Sequence, residues 1–261
     1  MFRKIRILLL LLILLFVALE DWRSDSRLTS WSYTIRVAIH PITADDSPTA
    51  AQFIRELDSA SFAAIENWLQ GEVKRYRQTQ QHPVQIHLGA EIKTLPPNLP
   101  DAPNTLDIML WSLKLRWWAY RQGDDANIKP HIQLFVLFHD AKRHANLSLP
   151  HSFGMKKGKI GVIHAFASAE QAGQNAVIIA HELLHIFGAT DKYDFATLQP
   201  IYPHGYAEPE RSPLLPQTLA EIMGGRVLVS RERAEIPRDL SVTRIGRLTA
   251  EEIGLLESVK K

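Results

Sequence analysis

Cysteine is absent from this chain. That excludes a disulfide scaffold, a thiolate zinc finger, a cysteine nucleophile and thiol redox chemistry. Any metal must therefore be held by His, Asp or Glu. Glycine and proline are modest, at 13 and 15 of 261 residues, which excludes a collagen-like or low-complexity chain. Charge of one sign is also lacking: 30 Lys and Arg stand against 28 Asp and Glu. Three of those cations, Arg3, Lys4 and Arg6, crowd the N-terminus, so the body is near neutral and gives a nucleic-acid partner no electrostatic support. Neither a GxSxG elbow nor a phosphate-cradling glycine loop occurs.

Long apolar runs are scarce too, with one exception. Ile7 to Leu19 is unbroken, preceded by the basic cluster and followed by Glu20, Asp21 and Trp22. A basic start and an acidic exit match an export signal in the positive-inside sense. Such a run spans roughly 20 Å as a helix, short of the ~30 Å hydrocarbon core. Small residues three apart are missing at its end, since Val17/Leu19 and Phe16/Ala18 both fail and Ser24/Ser26 lie downstream. The expectation is an uncleaved membrane anchor and juxtamembrane segment over 1–25, with Arg6 and Trp22 at the interface. The body, 26–261, is then a single domain outside the cytoplasm, periplasmic in a Gram-negative cell. Cleavage near Ser26 would make it secreted.

Within the body, 33–40 alternates apolar and polar residues, the period of a strand, and Pro41 is expected to end it. Phe62, Ile65, Leu69, Val73 and Tyr76 form a helical stripe that predicts one helix over 50–77. Strands are expected at 84–88, 131–138 and 159–166, and a Pro-rich loop at 95–104. The spacing predicts helices over 106–120 and 169–187. The first is rich in Trp and Tyr with Lys114, Arg116 and Arg121, and reads as a core helix or as one that docks on a membrane. Residues 155–159 read as a lysine-rich turn, and 191–216 as a long irregular segment of the kind that carries function. A final helix is expected to start at Thr249 with a capping box to Glu252. The element order predicts an α+β fold with a mixed sheet.

The informative stretch runs from His181 through Glu182, His185 and Gly188 to Asp191. Histidines at i and i+4 stand one above the other on a helix, so both imidazoles can reach one ion. The apolar run 176–180 buries that helix and makes the site rigid. Glu182 can lie beside the metal's open position. Gly188 suits a left-handed helix end, and Asp191 can return as an oxygen ligand. Two nitrogens and one carboxylate leave a fourth position for water, the catalytic arrangement of zinc. Asp194, His204, Glu208 and Glu221 are rival third ligands. His164 reads as a strand histidine satisfied by its neighbours.

This pattern resembles the metzincin metallopeptidases, whose extended motif is HExxHxxGxx followed by His or, as in snapalysin-type members, Asp. The resemblance covers about residues 169–225 and implies a zincin-like α+β domain holding one catalytic Zn²⁺ on His181, His185 and Asp191. It implies Glu182 as general base and Met223, in Glu221-Ile222-Met223-Gly224-Gly225, as a methionine turn beneath the metal. No tyrosine stands two residues after Met223, so the family's tyrosine there has no counterpart; Tyr193 and Tyr206 are the candidate oxyanion donors. The expected activity is zinc-dependent hydrolysis of a peptide or protein substrate. The alternatives are a non-catalytic zinc-binding or assembly protein and a metal hydrolase acting on something other than peptides.

Overall fold

The computed structural model describes residues 5–7, 11–12, 26–77, 82–100, 102, 104–122, 129–143 and 149–257. The expected anchor falls almost wholly outside them. Among the described residues no helix is long and apolar enough to cross a membrane.

The body is α+β. Its five-stranded sheet runs in the order β2-β1-β3-β5-β4, with β1 Ile35–Thr43, β2 Val84–Leu88, β3 Ile132–His139, β4 Phe153–Met155 and β5 Ile160–Phe166. All neighbours pair in parallel except β4, which runs antiparallel along β5 at the edge. The central strands are covered on both faces, hence the near-continuous apolar run Leu134 to Phe138.

Alternation along the strands divides the core in two. Ile35, Val37, Ile39, Leu134, Val136, Phe138, Ile163 and Ala165 pack beneath α1 (Pro48–Glu56), α2 (Ala63–Tyr76) and α4 (Ala172–Phe187). Ile42, Phe135, Leu137, Ile160 and Val162 face the other way, onto Leu115 and Ala119 of α3 (Thr105–Arg121). Small strand pairs follow α4: β6 Ala220–Glu221 with β9 Thr243–Arg244, and β7 Val227–Leu228 with β8 Ala234–Glu235. A short helix, α5 (Arg247–Glu252), completes the body. Arg77 ties its ends together by donating to the carbonyls of Ser30, Gly254 and Leu255.

Four local expectations are corrected. Pro41 does not end β1, which continues to Thr43. Odd-numbered residues of β1 bond toward β2, and β2 has already ended opposite Ile39, so the missing Pro41 N–H deprives no neighbour; its carbonyl still accepts from Ile92. The helix expected over 50–77 is two. Leu57 is extended, and Asp58 caps a new turn through a reciprocal bond with Ser61. The turn expected at 155–159 begins one residue later, because Met155 belongs to β4. The capping box at Thr249 does not form: the helix starts at Arg247 after Gly246, and the Thr249 hydroxyl donates to Glu221 Oε1 at 2.7 Å.

β4 reaches the site helix through a glycine. A Cβ built on Gly154 would stand 2.1 Å from the Glu182 carbonyl oxygen and 3.1 Å from His185 Cβ. Only a residue without a side chain lets strand and helix approach so closely. Gly154→Ala should therefore lower stability by about 1–3 kcal/mol, the usual range for overpacking. Urea unfolding checks this; an unchanged midpoint would mean that β4 does not bear on the helix.

Candidate metal centre

α4 is apolar along most of its length, with Val177, Ile179, Ala180, Leu183, Leu184, Ile186 and Phe187 buried. It ends at Gly188, whose φ of 111° lies in the left-handed region, and the amides of Gly188 and Ala189 both return to the Leu184 carbonyl. The chain thereby reverses and carries Asp191 back over the last turn of the helix.

Three atoms converge there. His181 Nε2 and His185 Nε2 are 3.1 Å apart, and Asp191 Oδ1 lies 3.2 and 3.3 Å from them. A tetrahedral zinc site with bonds of about 2.0–2.1 Å has ligand-to-ligand edges of about 3.3 Å. Among the described residues these three form the one group of His, Asp or Glu side chains close enough to share an ion.

The protonation pattern fits the same conclusion. His181 Nδ1 stands 2.9 Å from the Ile222 carbonyl, and His185 Nδ1 2.9 Å from that of Ala189. A carbonyl only accepts, so each Nδ1 carries the proton and each Nε2 of a neutral imidazole presents a lone pair. A shared proton serves two of the three convergent atoms; a divalent cation serves all three. The surroundings favour positive charge: burial opposes a charged His181, but Asp191 and Glu182 outweigh it and raise its pKa. Burial likewise opposes charge on Asp191, and the two imidazoles overcome it, holding the carboxyl below its ordinary range. This donor set of two imidazoles and a carboxylate suits zinc.

Glu182 is buried beside these three side chains and is not one of the group. Its Oε2 has no hydrogen-bond partner among the described residues. Burial pushes its pKa up, Asp191 adds to the rise, and the two imidazoles and the Gly154 amide counter it. Tyr193, half-buried, has its phenol held above the usual value by burial and by the charges of Asp191 and Glu182. It therefore stays protonated and able to donate. Tyr206 is bridged to Ala220 by its backbone and lies edge-on to Tyr202 at 5.3 Å. Met223 is fully buried, and the turn it occupies lies under the site, with the Ile222 carbonyl on His181 and the Met223 carbonyl accepting from the Lys192 amide at 2.8 Å.

None of the rival ligands joins the group. Glu221 accepts from Gly224, Gly246 and Thr249. Glu208 accepts from Thr218 and Arg211, Asp194 caps the turn at 196–197, and His204 is exposed. His164 pairs with His139 at 2.8 Å on the α3 face of the sheet, and burial, aided by His139, pushes it down to about 4.

One part of the site has no motif. Lys192, 5% exposed, points its Nζ at Glu252 Oε2 at 2.7 Å and at both oxygens of Thr190. Glu252 also accepts from the Thr190 amide and hydroxyl. This clamp grips the residues on either side of Asp191. In the sequence Glu252 was visible only as a capping partner for Thr249, a role it does not play.

No family model matches the chain, and no curated protein matches it. Among solved structures, one described as a chaperone–substrate complex overlaps with a TM-score of 0.41 at 13% identity, over 86% of this chain and 34% of its own. Metalloproteinase-II from Bacteroides fragilis overlaps with a TM-score of 0.37 at 10% identity, over 84% of this chain and 52% of its own. The chain thus spans about a third and about half of those two lengths. At this degree of overlap, the functional assignment rests on the site itself.

Glu252→Ala should leave the buried Lys192 ammonium uncompensated, at a cost on the order of 3 kcal/mol. It should also weaken zinc binding by about tenfold or more, as losses of ligand-supporting groups do. Calorimetric titration with zinc reads the second effect; unchanged affinity would show that Asp191 needs no clamp. Burial raises the Glu252 pKa, but Lys192 and Thr190 outweigh it and the net shift is downward. Its stabilising contribution is therefore present above the ordinary carboxylate range and lost as pH falls through the depressed value. An NMR titration of Glu252 should give a midpoint below 4.5.

Proposed function

We propose that the chain is a zinc-dependent metallopeptidase of zincin type. The observation that carries this reading is the convergence of His181, His185 and Asp191 beside a buried carboxylate, Glu182, with an unpartnered oxygen. A structural zinc site has no use for that carboxylate. The mixed sheet, with its antiparallel edge strand against the site helix, supports the same reading.

Zinc held by the three ligands would supply Lewis acidity, bringing the pKa of water toward neutrality and polarising a scissile carbonyl. Glu182 takes at Oε2 the proton of the water that attacks the carbonyl carbon, and gives it to the amine nitrogen as the C–N bond breaks. Its burial, which raises its basicity, suits it to both transfers. The Tyr193 hydroxyl donates to the carbonyl oxygen as negative charge gathers there. The carbonyls of Ile222 and Ala189 hold both imidazoles in the tautomer that faces inward. In this proposal residues 26–261 form one catalytic domain, and 1–25 anchor it with the body outside the cytoplasm. The substrate is a peptide or protein.

Glu182→Gln should cut hydrolysis of a peptide library by at least about 100-fold while zinc content stays at one per chain. Loss of zinc in this variant would make Glu182 a ligand. No hydrolysis by either form would favour the non-catalytic zinc protein, and hydrolysis confined to non-peptide substrates the third reading. His181→Ala and His185→Ala should each abolish stoichiometric zinc, and Asp191→Ala should weaken it at least about tenfold. Elemental analysis after dialysis decides; zinc retained by both histidine variants would overturn the assignment.

A further inference from the structure

α3 is buried along one side. Trp111, Leu115, Trp118 and Ala119 face the sheet, with Trp118 edge-on to Phe135 at 4.6 Å and Trp111 to Phe153 at 5.3 Å. Leu106, Leu110, Leu113, Trp117 and Tyr120 stand on the opposite side, spaced four, three, four and three residues apart, which aligns them in one stripe along the helix. They are 48 to 76% exposed, and Met109 beside them is equally open. At 1.5 Å per residue the stripe runs for about 21 Å. Trp117 stacks on Tyr120 at 5.9 Å at its C-terminal end. Single exposed apolar residues are ordinary, but a contiguous row of this size marks a surface that is covered in use.

The edges of the stripe indicate what covers it. Lys114 and Arg121, both exposed, flank it on one side by helical geometry. On the other side Arg116 lies against Gly158, which brings the β4–β5 turn and its exposed Lys157 to the rim, while Lys156 of the same turn reaches toward Gly188. The single acid of the helix, Asp107, accepts the Asn104 amide at the N-cap. An apolar strip that carries Trp and Tyr and is bordered by cations complements a bilayer interface with anionic headgroups. We propose that α3 docks on the anionic surface of a lipid bilayer, with Leu106, Leu110, Leu113, Trp117 and Tyr120 in the interface. The proposal rests on this helix and not on the peptidase reading. Because α4 packs on the other face of the sheet, docking would turn the metal centre away from the lipid.

The lack of cysteine makes the test direct, since Leu113→Cys would introduce a unique thiol. The full chain, labelled there with an environment-sensitive fluorophore, is placed in vesicles of phosphatidylcholine with phosphatidylglycerol. Glu170→Cys, exposed just before α4, is the control. Lipid-borne quenchers should reach the label at position 113 several-fold more effectively than the control. Replacing Lys114 and Arg121 together by Gln should reduce the docked-to-free ratio on the order of tenfold, as should omission of the anionic lipid. Three results would overturn the proposal: quenching at 113 by aqueous iodide despite anionic vesicles, shielding that is indifferent to charge, and shielding that grows with protein concentration without lipid. The last would assign the stripe to a second copy of the chain.

Discussion

The convergence of His181, His185 and Asp191 depends on the chain turning back on itself at Gly188. A residue with a side chain resists a φ of 111°, and without that turn the helix would run on or leave at another angle. The reversal does two things together. It points the Ala189 carbonyl at His185, and it returns Asp191 to within 3.3 Å of both imidazoles. Helix periodicity brings the two imidazoles together on its own; the carboxylate joins them only because of this turn.

A turn alone would leave Asp191 on a loose segment. What holds it is the ion pair between Lys192 and Glu252, reinforced by the amide and hydroxyl of Thr190. The arrangement links the last helix to the ligand loop, while the Glu221 carboxylate, bonded to Gly224, Gly246 and Thr249, links the same helix to the turn under His181. Two buried or half-buried carboxylates thus act as mechanical joints. Their polar partners offset the desolvation that burial imposes.

Much of this was legible in the sequence, and the misses share a physical origin. The HExxH spacing, the glycine and the aspartate are local, and local geometry brings their side chains together. The strands were legible because period-2 alternation and buried apolar runs are local as well. Pro41 misled because its tolerance depends on where the neighbouring strand stops. Thr249 and Glu252 misled because a capping box and a tertiary hydrogen bond use the same atoms, and the tertiary partners won. The carbonyls of Ile222 and Ala189 carry no signature, since every residue has one. Gly154 is informative only once β4 is known to lie against Glu182.

That reliance on main-chain carbonyls bears on how the protein can drift. Many metal sites orient their histidines with aspartate or asparagine side chains, and one substitution then removes the support. Here the groups that orient His181 and His185 belong to the backbone, so the side chains at 189 and 222 are answerable only to packing. Any small residue at 189, or another aliphatic one at 222, leaves the orienting dipole in place. The orientation of the site is thus insulated from substitution at 189 and 222, and the burden of keeping it falls on whatever preserves the path of the chain, Gly188 above all.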